Sequence, residues 1–122
     1  RMLSLPYRAW ALRIQDIIEA VERIKRTTAW MNFDDFTNID ELLLQGILYK
    51  FIIIGEASVN VNDEIKFRYP QIPWRLMASM RNVMAHEYFQ VDERIIWNTI
   101  QNHLGDLVPL LKELLARELP ES

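Results

Sequence analysis

The chain has 122 residues, enough for one domain, and half of them are hydrophobic, so it can bury a core without covalent staples. It has no cysteine, which excludes disulfides and cysteine-based zinc sites and suits a reducing, cytoplasmic setting. Its net charge is −3, whereas non-specific nucleic-acid binders are usually basic, so any affinity for nucleic acid has to come from a local patch.

The opening RMLSLPYRAW holds no apolar run long enough for a secretory signal. A first helix is expected from about Pro6, with Ser4 as its cap, to Thr27 or Thr28. Its apolar residues Trp10, Ile14, Ile17, Val21 and Ile24 are spaced by four, three, four and three, which predicts one buried face. NFDDFTN then reads as a connector with at most one short helical turn. A second helix is expected from about Asp40 to Val59. Its middle, LLLQGILYKFIII, is apolar nearly all round, but Glu41 and Glu56 bound the run and Lys50 interrupts it. That argues against a membrane span and for a central helix or a subunit interface.

NVNDEIKFRYPQIP is expected to be a linker with one short helix. Pro73 suits the first turn of a third helix, PWRLMASMRNVMAHEYF. A fourth begins near Asp92, with Ile95, Ile96, Thr99, Ile100 and Leu104 leaning to one side. Pro109 predicts a kink, because its ring crowds the Gly105 carbonyl and it has no N–H to donate. No alternating strand pattern is present. Residues 1–122 therefore read as a single all-α domain, an up-and-down bundle of four main helices with the last one kinked near Pro109.

The chemistry concentrates in RNVMAHEY, residues 81–88, which gathers Arg81, Asn82, His86 and Tyr88. Upstream, Lys66, Arg68, Arg75 and Arg81 fall in a stretch without acidic residues, a candidate basic patch for RNA. Ordinary solvated charge is the plainer reading of that stretch. On a continuous helix Arg81 and His86 would point roughly 140° apart. Either the helix unwinds before His86, or the groups converge with those of a second chain. Histidine can act as base or acid near neutral pH, and arginine offers a fixed fork to phosphate oxygens. Two copies would supply both proton roles for attack by a ribose 2′-hydroxyl. Plainer roles stand beside this: Arg81 paired with Glu56 or Glu87, Tyr88 packed on a neighbouring helix, and Trp30, Trp74 and Trp97 in the core. His103 has no partner set around it. No His-x-x-x-His or Glu-x-x-His spacing marks a metal site, and no cofactor is expected.

RNVMAHEY, together with IIIGEASVNV, YPQIPWRLMASMRNVMAHEYF, VDERIIWNTI and the amphipathic RIQDIIEAVERIKRTT, resembles the HepT-like toxins of the HEPN superfamily over nearly the whole chain. The resemblance implies a helical bundle that forms a homodimer with its motifs facing a shared cleft. It implies a metal-independent ribonuclease toxin acting on RNA, with Arg81 and His86 catalytic and Asn82 supporting. It also implies an MntA-type minimal nucleotidyltransferase antitoxin that adds AMP to Tyr88. The alternative use of the same residues is a non-catalytic helical subunit that binds such a nucleotidyltransferase and helps to position its nucleotide or substrate.

Overall fold

The computed structural model describes residues 9–83 and 92–119, and all regular structure among them is helical. Helix α1 spans Ala9–Thr28, and all five residues of its expected stripe, Trp10, Ile14, Ile17, Val21 and Ile24, are buried. The proposed start at Ser4 and Pro6 lies outside the described residues. The NFDDFTN connector carries the short helix α2, Phe33–Thr37. A capping box forms it: the Asn32 side chain accepts from the Asp35 amide, and the Asp35 carboxylate accepts from the Asn32 amide.

Helix α3, Glu41–Val59, starts where the Asp40 carboxylate accepts from the amides of Leu42 and Leu43. It lies against α1 and forms the second wall of the core through Ile47, Leu48, Phe51 and Ile54. It also packs against Trp74–Ser79 and Met80–Asn82, which gives it the place of a central helix, one of the two readings its sequence invited. By length and composition α3 could cross a membrane, yet only 39% of that stretch is buried. The side away from α1 leaves Leu42 at 76% and Tyr49 at 61% exposure.

The linker holds α4, Asp63–Arg68, capped by Asn62. A clasp then fixes the YPQIPW segment. The Arg68 guanidinium donates to both Glu118 oxygens at 3.1 and 2.8 Å, and the Tyr69 hydroxyl donates to the same carboxylate at 2.8 Å. Arg68 holds the Glu118 carboxyl below its ordinary range. Burial, and then the bond to Glu118, push the Tyr69 phenol up. Trp74 Nε1 donates to the Tyr69 carbonyl at 3.0 Å, and Ile72 is fully buried beneath.

Because the folded Glu118 pKa is depressed, its contribution to stability is fully present above the ordinary carboxylate pKa. That contribution is lost as pH falls through the depressed value. Thermal melting followed by circular dichroism should therefore show a drop on acidification through that window. Glu118→Gln should melt lower at neutral pH and show a shallower acid slope.

Helix α5, Trp74–Ser79, begins just after Pro73, whose carbonyl accepts from the Met77 amide. Here the structure departs from the single third helix expected through Phe89. The α-helix stops at Ser79, and Met80–Asn82 form a 3₁₀ turn. Helix α6, Glu93–Thr99, is capped by Asp92. A π-helical turn at Ile100–Leu104 follows, and then α7, Gly105–Glu118. The irregularity thus falls in the turn just before Gly105, the residue whose carbonyl Pro109 cannot bond. Lys25 Nζ donates to the Ile100 carbonyl there at 3.1 Å. Ile96, Ile100 and Leu104 point inward as expected, whereas Ile95 is 60% exposed.

Candidate functional site

Arg81 sits in the 3₁₀ turn, and its position is set by a glycine on another helix. A Cβ on Gly55 would lie 2.6 Å from the Arg81 Cβ and 2.9 Å from its Cα. Real side chains do not approach so closely, so only glycine lets this turn rest on α3. Met77 and Met80 reach into the core on either side of the contact, both essentially buried. Ser79 Oγ donates back to the Leu76 carbonyl at 2.6 Å, a local bond that competes with continued α-helical pairing. The tight seat on Gly55 and this back-bond together account for the change from α to 3₁₀ geometry at Met80. The α-helical path on which Arg81 and His86 would point apart is thus already broken at Arg81, while His86 itself lies outside the described residues.

The Arg81 side chain leaves this rigid seat toward solvent. Its Nη1 lies 3.7 Å from Glu56 Oε2, with both side chains about half exposed. Glu56 is one of the two partners that the sequence suggested. A solvated pair at that distance contributes little stability and leaves the guanidinium fork available to an incoming phosphate. Asn82 is exposed beside it, and Val83 packs against the core. His86 and Tyr88 lie outside the described residues, so the structure places one half of the motif only.

The three upstream cations do not form one open patch. Arg68 is committed to Glu118 and Glu64. Lys66 lies with its Nζ 5.9 Å from the Trp74 ring, half-buried on its face. Arg75 is exposed on α5. Of the tryptophans, Trp74 and Trp97 pack against the core as expected, and Trp97 stacks obliquely on Phe36 at 5.3 Å. Trp30 does not: it follows the last turn of α1 and is 70% exposed. His103 is exposed in the π turn. Among the described residues no group of three or more histidine, aspartate or glutamate side chains gathers as a metal site.

Sequence reasoning named Glu56 as a possible Arg81 partner but missed the structural role of Gly55 beside it, in the IGEA stretch. A glycine inside an otherwise strongly apolar helix was the available signal, because it costs about 1 kcal/mol relative to alanine unless something packs against it.

The HepT-like ribonuclease family model matches residues 17–114, which include the whole Arg81–Tyr88 motif. The chain is 39% identical over 94 residues to "Probable ribonuclease HepT" of Thermococcus cleftensis, covering 77% of this chain and 84% of the relative. It is 33% identical over 105 residues to a protein of Caldanaerobacter subterraneus subsp. tengcongensis named "Putative RNase", covering 86% and 93%. A Methanocaldococcus jannaschii protein, also named as a "Putative RNase", is 30% identical over 102 residues, covering 84% of each chain. No solved structure matches significantly.

Proposed function

This chain belongs to the HepT-like ribonuclease family, and we propose that it is the toxin of a HepT/MntA-type pair, a metal-independent endoribonuclease built from two copies. The observation that carries this reading is the seat of Arg81. A flexible, fully charged side chain rises from backbone locked against Gly55, within the motif that the family model covers. A rigid base under a phosphate-binding fork is what positioning catalysis requires.

In the proposed reaction one His86 takes the proton of a ribose 2′-hydroxyl. The 2′-oxygen attacks the adjacent phosphorus, and the P–O5′ bond breaks. The His86 of the second copy gives its proton to the departing 5′-oxygen. The products are a 2′,3′-cyclic phosphate and a 5′-hydroxyl. Arg81 meets the charge of the phosphorane between these steps, and Asn82 supports it. The test is incubation of the purified protein with defined RNAs in the presence of chelator, beside His86→Ala. Cleavage by the wild type alone is expected. Equal cleavage by both, or none by either, contradicts the reading, and the second result favours the non-catalytic partner subunit.

The second copy is supported by the outward side of α3. Exposed Leu42 and Tyr49 and half-buried Ile52 form an apolar strip that ends at Glu56, beside Arg81. Covering this strip with its own copy would bring two motifs toward one axis. Sedimentation at micromolar concentration should give a dimer, and a monomer counts against the shared cleft.

Silencing is proposed at Tyr88. Its phenol oxygen would attack the α-phosphorus of ATP held by the nucleotidyltransferase, releasing pyrophosphate and the phenolic proton. The added phosphate would then compete for Arg81 with RNA. Intact-mass spectrometry after incubation with the cognate nucleotidyltransferase and ATP should show added AMP on the wild type and none on Tyr88→Phe. Equal modification of both would remove this tyrosine from the mechanism.

A further inference from the structure

Two glycines interrupt α3, and only one is explained by the chain itself. Gly55 makes room for Arg81, but a Cβ on Gly46 would meet nothing within 4 Å. A glycine in mid-helix lowers helix stability and is expected where something approaches the backbone closely. No part of the described chain does so at Gly46.

The surroundings of Gly46 indicate the chemistry of what does. A groove of about 210 Å³ runs between α1 and α3 at this point. Arg23 and Thr27, one turn apart on α1, face Gly46 and Lys50, one turn apart on α3. Ile24 and Ile47, both buried, form the floor. The lining contains two cations and a hydroxyl and no carboxylate. Among the described residues neither Arg23 nor Lys50 joins an ion pair, although six such pairs are present in this acidic chain. Two like charges facing one another over an apolar floor repel unless an anion lies between them. A fork, a point charge and a hydroxyl donor are together suited to a tetrahedral oxyanion.

We propose that the α1–α3 groove binds a phosphate group through Arg23, Lys50 and Thr27, with Gly46 giving it access to the helix backbone. The phosphate has two sources with the same chemistry: the backbone of an RNA strand, which rests on the ribonuclease reading, or a free nucleotide, which does not. Neither use needs the motif at residues 81–88.

The test compares the wild type with Arg23→Ala/Lys50→Ala and Gly46→Leu. One arm follows binding of a fluorescent 12-nucleotide 2′-O-methyl RNA, which lacks the attacking hydroxyl, by anisotropy at several salt concentrations. The other follows AMP by calorimetry. If RNA is the source, both variants bind the 12-mer about tenfold or more weakly, and the double variant reduces the salt slope by about 0.7, the share of one phosphate contact on a single strand. If a nucleotide is the source, AMP binding is lost and RNA binding is unchanged. Gly46→Ala controls for folding: it should melt at or above the wild-type temperature, because its Cβ meets only open space.

Unchanged binding of both ligands by the variants overturns the proposal. So does failure of the wild type to bind either one, or a Gly46→Leu variant that dissociates the dimer while the double variant binds normally. Cleavage of RNA by the wild type is scored separately, so loss of the groove does not count against the ribonuclease, nor the reverse.

Discussion

Gly55→Ala is expected to lower stability by about 1–3 kcal/mol, the usual cost of forcing volume into a closed contact. The sign is the informative part. In an open helix interior the same change would stabilise by about 0.5–1 kcal/mol. At Gly55 the new methyl would meet Arg81 Cβ at 2.6 Å and Cα at 2.9 Å, and backbone cannot swing aside as the tip of a flexible chain can. Relief has to come from moving the 3₁₀ turn off α3, which shifts Arg81. Denaturant unfolding should therefore show a lower midpoint for Gly55→Ala beside an equal or higher one for Gly46→Ala. RNA cleavage should fall further than the lost folded fraction explains. A Gly55→Ala protein of wild-type stability would mean that the turn does not rest where the structure puts it.

Loss of either charged member of the motif should have the larger effect on activity. His86→Ala removes the proposed proton-transfer group and should reduce cleavage by about 10²- to 10⁴-fold with the melting temperature preserved. Arg81→Ala should also be severe, since the phosphorane would lose its clamp at the stage of greatest charge. Arg81→Lys should recover little, because an ammonium cannot offer two parallel donors. Neither change at Arg81 should harm folding much: its ion pair among the described residues, to Glu56 at 3.7 Å, is solvated. Single-turnover cleavage rates on one RNA, read beside melting curves, separate these outcomes. An Arg81→Lys enzyme at full rate would argue against a bidentate clamp.

Local chemistry made much of this fold readable from the sequence. The α1 stripe, the helix starts near Asp40 and Asp92 and the short helices in NFDDFTN and NVNDEIKFRYPQIP all follow from side chains acting on neighbours within a few residues. What was not legible depends on distant partners. The α-helix ends at Ser79 largely because Met80–Asn82 must fit against Gly55, some 25 positions earlier in the chain. Arg68 looked like part of an open basic run until Glu118, fifty residues on, was found to hold it. Arg23 and Lys50 carried no signal apart, since only the antiparallel packing of α1 on α3 brings them to one groove. Trp30 shows the opposite failure: a large aromatic suggested core, yet the end of α1 turns it outward.

For the site itself, the sequence supplied the residue types and the resemblance to HepT-like ribonucleases, which the family match bears out, while the structure supplied the seat of Arg81. Together these lead to one chemical claim, the proposal that Arg81 and His86 cleave RNA through its own 2′-hydroxyl. The end groups of the product test that claim most directly. Purified wild-type protein, incubated with a defined RNA in excess chelator, should leave a 2′,3′-cyclic phosphate on one fragment and a 5′-hydroxyl on the other, both resolved by mass spectrometry. Fragments carrying a 3′-hydroxyl and a 5′-phosphate, or cleavage that persists on RNA lacking the 2′-hydroxyl, would contradict it.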